Sequence, residues 1–120
     1  MRSLKIVVLF TFVVFGVVAC FSSKPKGYVI ADSKTYDASL FRQYCAVCHG
    51  PEAEGKITDD GKKVPSLREA DFKFKTRDQI FNQISQGGNG MPPFKDQMTE
   101  RELQMMTDFV YKDLRGGKGQ

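Results

Sequence analysis

Apolar residues recur at helical spacing in three separated stretches, and nowhere do they alternate at the spacing of a strand. Tyr36, Leu40, Phe41 and Tyr44 share one side of a helix that leads straight into Cys45, because positions three and four apart lie on one face. Ile80, Phe81 and Ile84 do the same within residues 76–86, with Thr76 placed as an N-cap and Gly87-Gly88 as a stop. The third pattern is the strongest. Thr99-Glu100-Arg101-Glu102 reads as a capping box, and Leu103, Met106, Phe109, Val110 and Leu114 follow on one face. Between Gly50 and Ala70 the periodicity gives way to Gly, Pro and Asp, which predicts a long loop, with a short helix at Pro65-Ser66-Leu67-Arg68-Glu69. The expectation is an all-α domain of three or four short helices, without strands or internal repeats.

The two ends of the chain read differently. Met1-Arg2-Ser3-Leu4-Lys5 is basic, Ile6 to Val18 is apolar except for Thr11 and Gly16, and Val17-Val18-Ala19-Cys20 follows, the layout of an export signal. The apolar run falls short of the roughly 20 residues of a membrane-spanning helix. Its last four residues resemble the lipobox of bacterial lipoproteins, which makes Cys20 the candidate for lipidation after removal of residues 1–19. An ordinary signal followed by an unpaired cysteine, or an uncleaved anchor, are the alternatives. Residues 20–34 are polar and broken by Pro, Gly and Ser, and read as a flexible tether. The folded domain is expected over 35–115, with 116–120 as a flexible tail. This organisation implies an exported protein, lipid-anchored to a bacterial membrane, with its domain facing the periplasm or the cell exterior.

Charge narrows the partners. The chain carries 18 basic and 14 acidic residues. Loss of Arg2 and Lys5 with the signal leaves 16 basic residues, a balance of +2. No basic stripe interleaved with aromatics is present, so nucleic-acid binding has no support.

The candidate chemistry lies in Cys45-Ala46-Val47-Cys48-His49. Two thiols three apart, followed at once by an imidazole, match the attachment site of a c-type haem: each thiol adds to one vinyl group of the porphyrin, and the imidazole takes an axial position on iron. A thioredoxin-type redox pair would sit beside a βαβ pattern, which is missing. A structural zinc site needs four ligands, and apart from Cys20 the Cys and His residues are Cys45, Cys48 and the sole histidine, His49. A disulfide between Cys45 and Cys48 would leave His49 unexplained.

With that motif placed, the region from about Asp37 to Leu114 resembles a class I cytochrome c, the family of small all-helical monohaem electron carriers. The resemblance rests on Leu40-Phe41 ahead of Cys45-Ala46-Val47-Cys48-His49-Gly50, on Val64-Pro65-Ser66-Leu67, on Gly90-Met91-Pro92-Pro93-Phe94, and on Glu102-Leu103 through Phe109. It implies the cytochrome c fold, its helices wrapped around one haem c attached through Cys45 and Cys48. Where the family often has glycine at the crossing of the terminal helices, this chain has Asp37, so the crossing is expected to be wider or shifted, with Ala38 at the contact.

The resemblance also implies the ligands. His49 would bind iron through one ring nitrogen while the other meets the backbone carbonyl of Pro65; the alternative is that Pro65 only shapes the loop. Met91, in a Gly-rich turn closed by Pro92 and Pro93, stands where the family's thioether ligand falls. Met98 is the other contender, whereas Met105 and Met106 lie inside a helix. Phe72, Phe74, Phe81 and Phe94 are expected to wall the haem.

The function implied is that of a membrane-tethered electron carrier rather than an enzyme. It would be a monomer passing single electrons between a donor and an acceptor redox protein. A haem subunit of a larger oxidoreductase is the alternative, as is a gas sensor or peroxidase if Met91 dissociates. Lys73, Lys75 and Lys95 are candidates for a docking patch opposite Glu52, Glu54, Asp59 and Asp60.

Overall fold

The structure is a computed structural model and describes residues 27–69 and 73–116. The expected signal, Cys20, Phe72 and most of the tail lie outside the described residues. Helix α1 (Tyr36–Leu40) runs through a π-helical turn (Phe41–Cys45) into α2 (Ala46–His49). A hairpin of β1 (Lys56–Ile57) and β2 (Lys63–Val64) follows, then α3 (Arg77–Gln86), then α4 (Glu100–Asp108), which continues as a second π-helical segment (Phe109–Leu114).

Both long helices start as their local sequence predicts. Thr76 accepts from the backbone N–H of Gln79 while Gln79 reaches back to the N–H of Thr76. Thr99 and Glu102 form the same reciprocal pair at α4. Each box satisfies donors that the first helical turn cannot. At the other end of α3, Gly87 adopts φ +71° and stops the helix.

The core forms where α1 and its π-helical turn lie against α4 and its extension. Phe41 and Phe109 are fully enclosed, with ring centroids 5.8 Å apart. Ala38, beside Asp37, has no exposed surface and belongs to this core. Leu40, Leu103, Met106, Val110 and Leu114 complete this layer, and Ile80, Ile84, Phe94 and Met98 join it from α3 and the following loop. Buried Thr107 donates to the carbonyl of Leu103 at 2.7 Å, which removes the penalty of an unpaired hydroxyl. Tyr36, expected on the inner face, is instead largely exposed and donates to Glu102 at 2.5 Å.

Three features depart from the sequence expectations. First, the loop after Gly50 contains a two-stranded antiparallel sheet pairing Lys56 with Val64 and Ile57 with Lys63. Two-residue strands are too short to show any alternation. Second, residues 65–69 form no helix. The Leu67 N–H binds the carbonyl of Ala53 at 2.9 Å and the Arg68 N–H binds the Ser66 hydroxyl at 3.2 Å, so these donors are directed away from a helical ladder.

Third, the described part of the expected tether is docked. Ile30 is fully buried, and Tyr28 stacks edge-on against Phe109 at 5.2 Å. The Glu52 carboxylate accepts from the N–H groups of Ile30 and Ala31 at 2.9 and 2.8 Å, and Arg42 donates to the carbonyls of Ile30 and Ser33 at 2.7 and 3.0 Å. One apolar anchor held by charge-assisted bonds turns a polar segment into a strap. Its polar composition conceals this because its partners come from distant residues.

Candidate functional site

The motif sits at the end of a helix whose register has been shifted. The π-helical turn Phe41–Cys45 carries one more residue per turn than an α-helix, which rotates the succeeding residues by roughly 100°. After it, Cys45 and Ala46 are half-buried against the core, whereas Val47 and Cys48 face outward. Burial, and secondarily the Cys48 thiol, pushes the Cys45 thiol up to about 12. A thiol held neutral in this way is a poor nucleophile at neutral pH, which argues against thioredoxin-type chemistry at this pair.

His49 is the last residue of α2, and Gly50 at φ +84° turns the chain away. Its Nδ1 lies 3.4 Å from the carbonyl oxygen of Pro65, so the N–H is on Nδ1 and Nε2 carries the free lone pair. Burial holds the imidazole below its usual value, with the Pro65 bond opposing it. The neutral ring is the form that ligates a metal. Pro65 reaches this position because Gly55 lets the two strands of loop approach. A Cβ on Gly55 would stand 2.6 Å from the Val64 oxygen and 2.8 Å from the Pro65 carbonyl carbon, and Gly55 has φ +79°. The Gly55 N–H also binds the His49 carbonyl at 2.7 Å.

Farther along that loop, Glu52 and Arg68 pair at 3.1 Å, and Arg68 donates as well to the carbonyl of Tyr28 at 2.8 Å. The strap, the residues after His49 and the residues after Pro65 are thus tied at one point. Glu52, by sequence a candidate member of an acidic pole, has this bracing role instead. Asp60 is likewise engaged, with Lys62 at 2.6 Å.

Met91 is placed by a tight turn. Gly88 and Met91 exchange backbone hydrogen bonds of 2.8 and 3.0 Å, and the two residues between them, Asn89 and Gly90, have φ +54° and +88°. Positive φ at both central positions defines a type I′ turn, for which Asn-Gly is the preferred sequence. Gly87 packs beneath it: a Cβ there would stand 2.6 Å from the Met91 oxygen and 2.7 Å from Pro93 N. Met91 is half-buried against the core, whereas Met98 and Met106 are 6% and 1% exposed among core residues. Tyr44, Phe74 and Phe81 are half-buried as well, and Phe94 is buried with its ring 6.1 Å from Tyr44.

Two thiols one helical turn apart, a neutral imidazole beside them, a thioether in a rigid turn and half-buried aromatics suit an iron porphyrin. Among the described residues no cluster of three His, Cys, Asp or Glu could hold a bare metal ion. This fold and donor set define a c-type cytochrome with one haem c bound covalently through Cys45 and Cys48. The chain belongs to the family described as cytochrome c oxidase, cbb3-type, subunit III, whose model matches residues 37–110.

Individual relatives agree. A cbb3-type cytochrome c oxidase subunit FixP from Sinorhizobium medicae (strain WSM419) is 32% identical over 84 residues, covering 61% of this chain and 27% of its own length. The chain therefore spans about a quarter of that relative. A cytochrome c6 from Parathermosynechococcus lividus is 26% identical over 80 residues, 67% of this chain and 90% of its own. Among solved structures, the KustC0563 c-type cytochrome is 29% identical with a TM-score of 0.50, covering 68% of this chain and 95% of its own.

Proposed function

We propose that the protein passes single electrons between a donor and an acceptor redox protein, with His49 and Met91 as the two axial ligands. The observation that carries this reading is that both residues are anchored: the His49 ring at Nδ1 by the Pro65 carbonyl, and the backbone of Met91 by two hydrogen bonds to Gly88. Haem c supplies an iron that alternates between ferric and ferrous. The residues contribute immobility. A ligand residue anchored in this way shifts little when the iron charge changes, which keeps reorganisation small. The Pro65 bond also raises the basicity of the imidazole, while a thioether favours ferrous iron relative to a second histidine.

Residues 1–19 act as the export signal in this reading, and Cys20 carries the lipid. No described helix is long and apolar enough to cross a membrane. Replacing Cys20 by Ser should move the haemoprotein into a soluble fraction or leave an uncleaved precursor; unchanged lipid labelling would exclude Cys20 as the anchor. Lys73, Lys75 and Lys95 form the patch that guides an acidic partner, so rising salt should slow the reaction. A rate unmoved by salt or by Lys73→Glu, Lys75→Glu and Lys95→Glu would remove that role.

The ligand assignment is tested with carbon monoxide. The ferrous protein should not bind it at equilibrium, because Met91 holds the sixth position. Ready binding would favour a gas sensor or peroxidase. A second reading, a fixed haem subunit of a larger oxidoreductase, is favoured by the oxidase-subunit relative. Stable co-purification with such a complex would support it over a free monomeric shuttle.

A further inference from the structure

Gln83 lies on the last turn of α3, and its side chain leans over the turn that carries Met91. Its amide nitrogen is 2.9 Å from the carbonyl oxygen of Gly88 and 3.7 Å from the sulfur of Met91. An amide nitrogen has two hydrogens, enough for both acceptors. The same Gly88 oxygen accepts from the Met91 N–H at 3.0 Å, and the backbone carbonyl of Gln83 accepts from Gly87 at 2.9 Å. One residue therefore grips the end of the helix, the turn and the thioether.

A thioether sulfur has two lone pairs, and a metal uses one. We propose that Gln83 is a positioning residue for Met91: its N–H engages one lone pair, leaves the other for iron, and draws density from the sulfur. This rests on Met91 being the sixth ligand. The density drawn from the sulfur slightly weakens it as a donor, but the single orientation the amide imposes is the larger effect: a sulfur without the amide is free to rotate and to leave.

The test uses the full haem-loaded chain and separates the sulfur contact from the turn. Gln83→Leu removes both amide bonds at similar size. Asn89→Ala loosens the turn, because alanine resists positive φ, and leaves the amide in place. In the ferric state, Gln83→Leu should shift the wavelength of the weak thioether-to-iron absorption band and tighten imidazole binding about fivefold, the scale of one lost hydrogen bond. Asn89→Ala should ease imidazole binding without moving the band. A parent band that Gln83→Leu leaves in place, or one that Asn89→Ala shifts equally, would overturn the role of Gln83 alone. A parent protein lacking the band would overturn the Met91 assignment and this inference together.

Discussion

The Nδ1 of His49 lies 3.4 Å from the carbonyl oxygen of Pro65, and Gly55 is the residue that allows the two to meet. The Met91 side has a counterpart, since Gly87 makes room for the backbone of Met91, Pro92 and Pro93. Each candidate ligand is thus served by one glycine at positive φ on which another stretch of backbone rests.

Gly55→Ala should displace Pro65 from His49. Positive φ and backbone overlap together cost about 2 kcal/mol. Loss of the carbonyl makes the imidazole less basic, so the reduction potential should rise. Thermal unfolding and a redox titration on one preparation check both effects. A variant with parent potential would mean that Pro65 only shapes the loop.

Gly87→Ala should act on the other face at a similar stability cost of about 2 kcal/mol. Its signature differs. The ferrous protein should now bind carbon monoxide, because the Met91 turn is pushed from its seat, while the potential falls as thioether ligation weakens. Carbon monoxide titration of parent and variant measures this.

The docked strap should contribute to stability. Ile30→Ala removes a fully buried side chain and should cost roughly 2–4 kcal/mol. Glu52→Gln breaks the Arg68 pair and weakens the grip on Ile30 and Ala31, at about 1–2 kcal/mol. Because both changes loosen the same segment, the double variant should lose less than the sum. Denaturant melts of the full chain test this, and strict additivity would mean that the strap is not one unit.

Two carboxylates near the end of α4 should respond oppositely to pH. Arg77 donates to Asp108 at 2.5 Å and holds that carboxyl below its usual value. Its stabilisation is present above about pH 4, the unfolded value, and is lost as pH falls through the lower folded value. Asp113 is raised, first by desolvation and then by nearby Asp37, so its ionised form opposes folding until protonation relieves it. Asp108→Asn should therefore destabilise at pH 7 and Asp113→Asn should stabilise, each by about 0.5 kcal/mol for such exposed groups. Both differences should vanish in acid.

Local signals are legible in the sequence and long-range ones are not. The N-cap at Thr76 and the four-residue capping box at Thr99 are local, and the thiol–imidazole motif spans five residues. Such features need only near neighbours. The strap depends on Glu52, 22 residues beyond Ile30, and no periodicity announces that pairing. The π-helical turn leaves composition unchanged and moves only the register. Asn89-Gly90 does carry a hairpin signal; taken only as part of a Gly-rich turn, it conceals the closed geometry and with it the contact from Gln83.

The most direct test of the central claim, an iron held between His49 and Met91 for one-electron transfer, is the ferric absorption spectrum of the full chain and two variants. The parent should show the weak long-wavelength band of a thioether on ferric iron, Met98→Ala should retain it, and Met91→Ala should lose it while the haem stays bound to the polypeptide. Survival of the band in Met91→Ala, or its loss in Met98→Ala alone, would contradict the account.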